Sequence, residues 1–413
     1  MSSDLLRKGA SAAASPNAFL KLLPITLAVF IGFLTIGLPL PVLPLHLHDT
    51  LAMSPLIVGI VIGSQFAAAL LSRAWAGGLA DTRGAKRAVV AGLFLAAGSG
   101  LVYLASLAFA TSPPASVGVL VLGRVLLGCA ESLVVTGALT WSVGLIGPQN
   151  AGKAMAWVGI AMYGAYAAGA PMGVAVYGQF GFAGIAMATI LIPLIALGAI
   201  AAVRPIAPSS ARRIPFYKVL RTVWVPGMGL ALSSVGFGVI TTFIALLFSA
   251  RHWGNASLAF TAFGVAFIGA RLFFGHLPDK VGGAKVAFVC VLIEAVGQLL
   301  IWGADGEPMA YIGAALTGFG YSLAFPGFGV EAVRRAPPQS RGAAMGAYVA
   351  FLDISLGITG PIAGAIANNS GVSAVYLAGA VAVVCSVGIA LVLLATQPRA
   401  AHDQATARHK GVQ

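Results

Sequence analysis

The sequence predicts an all-α membrane protein whose twelve transmembrane helices form two pseudo-symmetric six-helix bundles. Three observations predict it. Of 413 residues, 59% are hydrophobic and only 8% charged, with a mean hydropathy of +0.95. A soluble domain carries about a quarter charged residues, so this chain lacks the polar surface to cover a globule and its solvent is lipid. Apolar runs of about 20 residues, enough to cross the hydrocarbon core as helices, recur in two sets of six. Finally, the most polar short stretch of the chain occurs twice.

That stretch is Arg73–Arg87, which holds Gly77, Asp81, Arg83, Gly84, Lys86 and Arg87 between two apolar runs. Arg73, Gly77, Asp81, Gly84 and Arg87 reappear at a constant offset of 198 residues as Arg271, Gly275, Asp279, Gly282 and Lys285, with Lys280 following the second acid. Five aligned positions of these types mark an internal duplication.

In chain order, the runs fall at about 22–45, 56–78, 87–110, 117–146, 152–180 and 183–203, then 223–250, 256–278, 285–303, 309–332, 342–367 and 372–396. Glycine and proline within them are tolerated in membrane helices. The expected division is a tail (1–21), a first bundle (22–203), a basic connection (204–222), a second bundle (223–396) and a tail (397–413). The connection carries Arg204, Arg212, Arg213, Lys218 and Arg221, charges too costly for lipid. Placing both termini in the cytoplasm puts every one of the 24 Lys and Arg residues on that side except Arg124, inside a span, and Arg251, in an outer loop. The positive-inside rule therefore orients the chain.

A formal net charge of +13 would suggest nucleic acid in a soluble protein, but these cations sit in short loops rather than on a basic face with interleaved aromatics, which excludes that partner. Cys129, Cys290 and Cys385 lie on three different spans and read as small core side chains, with no disulfide or metal framework. His46, His48 and Asp49 read as an exposed polar turn rather than a metal site, there being no partner cluster elsewhere. No zinc-protease helix motif, phosphate loop or nucleophile elbow is present, which argues against an enzyme or a nucleotide-driven pump.

The loop at Gly77, Asp81, Gly84, Lys86 and Arg87 resembles the cytoplasmic signature of the major facilitator superfamily, in which one glycine lies four residues before an acid and another three after it, followed by cations. Thr82 stands where that signature usually has a basic residue, and Arg83 follows one place late. Gly123-Arg124 to Gly128 resembles the fourth-helix arginine signature of proton-coupled members, and Gly169-Ala-Pro171-Met-Gly173 the fifth-helix signature of antiporters. Gly357 to Gly364 repeats that texture on the eleventh span, and Gly37 to Pro44 resembles the first-helix exit of drug-efflux members. The phrases Thr35–Leu40, Ala231–Val239 and Asp353–Pro361 resemble the YhhS/YfcJ-type branch of bacterial inner-membrane transporters. The resemblance spans residues 20–397. It implies two halves rocking about a midplane site, a bacterial inner-membrane location, no cofactor, and a small-molecule substrate exported against protons by a monomer.

Ionisable groups inside spans point to function, because each charge costs roughly 2.5–3.5 kcal/mol to insert. Arg124 and Glu131 are seven residues apart, which places them on one helix face about 10 Å apart along the axis. The functional reading is that Glu131 takes a proton or a substrate cation while Arg124 tunes it by proximity; the structural reading is a buried pair holding helices together. Asp353, near the middle of its span, reads as an isolated carboxylate that loads and releases protons, or as an acid hydrogen-bonded to a neighbouring helix. Glu294 reads as a structural hydrogen-bonding group, and Glu331 as one able to reach water. Phe33, Tyr163, Tyr166, Phe237 and Tyr321 are candidates to line a cavity for an apolar or planar substrate, against plain packing. The expected role of the duplicated loop is a gate, with Asp81 near the start of the eleventh helix when the cytoplasmic side is closed.

The expected function is proton-coupled efflux of a small organic compound. A sugar or organic-acid uptake symporter and a non-transporting sensor on the same scaffold are the alternatives.

Overall fold

The computed structural model describes residues 16–147, 150–207, 216–336 and 341–396; the predicted tails, apart from residues 16–21, and the middle of the basic connection lie outside them. Among the described residues every regular element is helical. Helix α1 (Pro16–Gly37) breaks where Pro39 and Pro41 remove backbone donors, then resumes as Val42–Leu45 and a π-helical turn, His46–Thr50. Helices α2 (Pro55–Arg83), α3 (Ala85–Ser106) and α4 (Pro113–Ile146) follow. Pro55 and Pro113 open their helices in the first turn, where a missing N–H costs nothing.

The run Ala151–Ala201 is helical throughout except at Gly181, whose φ of +61° and ψ of −160° reverse the chain. It forms two spans, α5 (151–180) and α6 (182–201). The second half comprises α7 (Phe216–Ala250), α8 (Ala256–Phe274), a short helix Leu277–Val281, α9 (Gly283–Trp302), α10 (Glu307–Arg335), α11 (Arg341–Ser370) and α12 (Ala374–Ala395). Ten described segments are long and apolar enough to cross a bilayer. One of them contains both α5 and α6, and α10 is the twelfth span, its central stretch made less apolar by glycines and by Tyr311, Thr317, Tyr321, Ser322 and Pro326.

The duplicated loop has the same backbone geometry in both halves. Gly84 joins α2 to α3 at φ +97°, and Gly282 opens α9 at φ +107°. Both fall where a side chain is strained, which is the physical reason the second glycine of the motif recurs.

The two bundles meet mainly at two helix crossings, α2 on α11 and α5 on α8, with a lesser contact between Val42–Leu45 and α7. At the first, a Cβ on Gly59 or on Gly360 would collide with the other residue's carbonyl, and one on Gly63 would lie 2.8 Å from the Gly357 oxygen. At the second, Thr261 Oγ1 donates to Ala167 O at 2.9 Å. Small residues permit this backbone approach in a medium that offers no hydrophobic drive between helices. Both crossings are tightest in the half of the molecule away from the Gly84 loop. Large apolar side chains such as Leu71 and Phe273 point outward to lipid.

Several expectations are corrected. Helix α7 begins at Phe216, inside the expected polar connection; charged side chains at a helix end can emerge from lipid, so they do not stop the helix. Of the cysteines only Cys290 is buried; Cys129 is half-buried and Cys385 exposed, because a helix in lipid gains nothing by turning a small apolar group inward. His46 is buried and stacks on Phe182, with ring centroids 4.1 Å apart, so it is no exposed turn residue, whereas His48 is exposed. Glu331 is buried and pairs with Arg334 and Arg335 at 3.4 Å each rather than reaching water.

Candidate functional site: a charge cluster and an aromatic wall between the halves

Asp353 on α11 is not isolated. Arg73, one turn before Gly77 on α2, donates its Nε to Asp353 Oδ2 at 2.7 Å, and Nη2 reinforces the contact. This ion pair joins the two halves. Asp353 is 4% exposed, and only the opposite charge makes such burial tolerable. The α2–α11 crossing sets the pair in place by bringing the backbones close enough for the arginine stem to span the gap.

Two turns back along α2, the fully buried Gln65 donates Nε2 to Glu131 Oε2 at 2.7 Å. Glu131 is half-buried on α4, and its electrostatic neighbours include Asp353, Arg73 and Arg124. The four charged groups therefore form one cluster shared by the halves. Glu131 also borders a small cavity lined by Phe33, Thr35, Leu127 and Val134. Arg124 is almost fully buried, lies beside Tyr103 of α3, and leaves its Nε without a partner. It reaches Glu131 electrostatically but is not bonded to it.

The five aromatic candidates come together as one wall. Phe33 meets Tyr166 at 6.0 Å, Tyr166 stacks on Phe237 at 5.9 Å, and Phe237 stacks on Tyr321 at 5.6 Å. Tyr163 closes the group, edge-on to Phe237 at 5.4 Å and bonded through its hydroxyl to that of Tyr321 at 3.3 Å. Phe263 and Phe267 of α8 extend it; Phe267 stacks on Tyr163 at 3.8 Å. Tyr166 links wall to charges, since Glu131 and Arg124 are among its electrostatic neighbours.

The loop residues lie at one end of the molecule, away from this centre. Lys86 donates to the carbonyls of Ala201 and Val203 at 2.8 and 2.7 Å and sits 5.8 Å from the Trp141 ring, tying α3 to the end of α6. Thr82 folds back on Gly78 O, Asp81 is half-buried, and Arg83, Arg87, Asp279 and Lys280 are exposed. Gly77 has open space around it, and Gly275 abuts Arg271 O. Glu294 is fully buried on α9, away from the cluster, and accepts from Ser233 at 2.8 Å. No group of three or more metal-ligating side chains exists among the described residues.

Sequence reasoning misses Arg73 and Gln65 as members of the site. Arg73 reads as part of the rim loop, although its recurrence at Arg271 marks it as part of the repeat. Gln65 carries no charge and leaves no signal in hydropathy.

A duplicated twelve-helix bundle with charged and aromatic residues gathered between its halves defines a polytopic membrane transporter. The Major Facilitator Superfamily matches residues 25–254 and again 227–412, and the chain belongs to that superfamily. An uncharacterized MFS-type transporter of Salmonella typhimurium strain LT2 is 44% identical over 370 residues, covering 90% of this chain and 95% of the relative. One from Burkholderia mallei strain SAVP1 is 46% identical over 390 residues, covering 94% and 95%. Among solved structures, the nucleoside transporter NupG superposes with a TM-score of 0.67 at 15% identity, over 91% of this chain and 98% of that one; at that identity the likeness is of fold. The chain is a transporter, not an enzyme.

Proposed function

We propose that the protein exports a small organic compound across a bacterial inner membrane in exchange for protons, as a monomer with both termini in the cytoplasm. The observation that carries this reading is the Arg73–Asp353 pair, which spans the two halves and lies within electrostatic reach of Glu131. A proton delivered to Asp353 removes the charge that holds Arg73, so α2 and α11 lose their strongest tie and the halves can rock. Glu131, held by Gln65 from the same helix as Arg73, is a second proton acceptor in the same field. The aromatic wall parts in that motion and offers faces to the substrate.

Asp353→Asn and Glu131→Gln are each expected to insert normally and to lose proton-linked flux. The check is a compound screen in everted vesicles with a pH-gradient dye. Full proton-coupled flux in both variants overturns the assignment, and counterflow in vesicles of opposite orientation fixes the direction.

A further inference from the structure

The internal repeat relates the two helix crossings residue by residue. Pro361 lies eight residues after Asp353 on α11, and Pro171 lies eight residues after Tyr163 on α5. In this register Gly357 corresponds to Ala167, while the loop offset of 198 relates Gly63 to Thr261. The structure bears the register out. Gly63 faces the carbonyl of Gly357 in one crossing, and Thr261 bonds the carbonyl of Ala167 in the other. By the same register the partner of Arg73, Asp353, corresponds to the partner expected for Arg271, and that residue is Tyr163.

Arg271 thus stands where its repeat mate holds a carboxylate, but faces a phenol. Its Nη2 donates to Ser322 O at 2.7 Å, its guanidinium lies 5.3 Å from the Phe267 ring centroid, and its Nε is buried with no acceptor. Its electrostatic neighbours are Tyr163, Tyr321 and Tyr348, with no carboxylate among them. Arg271 is half-buried with its Nε sealed from water; a guanidinium so placed without a counter-anion is unfavourable, and its fork of N–H donors matches a carboxylate. The rings beside it, Tyr163, Phe267 and Tyr321, present flat apolar faces.

We infer that the central site takes a planar, apolar-bodied organic carboxylate, with Arg271 as the residue that binds its carboxylate and the Tyr163–Tyr321 wall as the surface against which its body lies. The substrate's anion completes the ion pair that the second repeat lacks. This deepens the transport reading by naming the substrate class, and it rests on the central site being the substrate site, not on proton coupling.

The test uses the purified full chain in lipid nanodiscs, with 2-naphthoate, the neutral 2-naphthamide and the cationic 2-naphthylmethylamine as probes, read by equilibrium binding. Naphthoate is expected to bind at least tenfold more tightly than either analogue. Arg271→Gln should lose at least tenfold of that affinity while Arg271→Lys keeps part of it. Tyr163→Asp, which restores the carboxylate found at the other crossing, should abolish naphthoate binding and raise the melting temperature of the free protein. Equal binding of the amide, preference for the amine, no binding of any probe, or naphthoate binding unchanged in Arg271→Gln and Tyr163→Asp overturns the inference. Naphthoate binding through Arg271 without any proton-linked flux would instead overturn the proton-coupled reading and leave this one standing.

Discussion

Arg73 keeps 19% of its side chain accessible while Asp353 keeps 5%, so the pair is lopsided: the acid is the member that depends on its partner. Removing one member of a buried pair costs about 3–5 kcal/mol, whereas removing both is often neutral. Arg73→Gln should therefore destabilise the protein by about 3 kcal/mol, the low end of that range because the site is not fully sealed. The double variant Arg73→Gln/Asp353→Asn should recover most of the loss. Thermal unfolding in detergent measures both; a double variant no more stable than Arg73→Gln would show that the unpaired Asp353 is not the source of the loss. This residue-scale feature was half legible in the sequence. Asp353 announced itself as an ionisable group inside a span, but its partner lies 280 positions away on another helix, and hydropathy reports depth without reporting neighbours. The aromatic candidates were legible as types on central spans. Their union into one wall depends on helix rotations that apolar periodicity cannot fix when every face of a helix is apolar.

At the scale of the element, the repeat was the clearest signal in the chain, and the structure supplies its cause. The glycines that end α2 and open α9 both take backbone angles almost closed to other residues, φ +97° with ψ 144° at Gly84 and φ +107° with ψ 136° at Gly282. Alanine at such angles costs about 1–3 kcal/mol. Gly84→Ala and Gly282→Ala are expected to lower the melting temperature by similar amounts, since an added Cβ finds open space at Gly282 and only a 3.8 Å contact at Gly84. A neutral effect at either position would show that its loop relaxes to another conformation. The kink between α5 and α6 was legible only as a weak interruption. Gly181 is one glycine among 53, and nothing local distinguishes it from those that merely let helices approach.

For the whole molecule, the two crossings close the face away from the loops, and the Arg73–Asp353 pair lies between them and the loop face. Alternating access requires that something on the loop face balance those crossings. We propose the signature loop as that counterweight on the cytoplasmic side. Asp81 is half-buried there, and a carboxylate near the N-terminus of α11 would gain about 0.3–1 kcal/mol from the helix dipole, a contact present only when the cytoplasmic side is closed. Asp81→Asn removes that gain, which shifts a two-state population by about two- to fivefold toward inward-open without touching the competent site's affinity. The measurement uses a background with Cys129, Cys290 and Cys385 replaced by serine. The single reporter is Gly159→Cys, on the loop-side half of α5 where an added Cβ meets no neighbour within 4 Å. The reporter should label faster from the cytoplasmic side in Asp81→Asn, with slower transport. An unchanged labelling rate would remove Asp81 from the latch and leave the Arg73–Asp353 pair as the tie through which protons and conformation communicate.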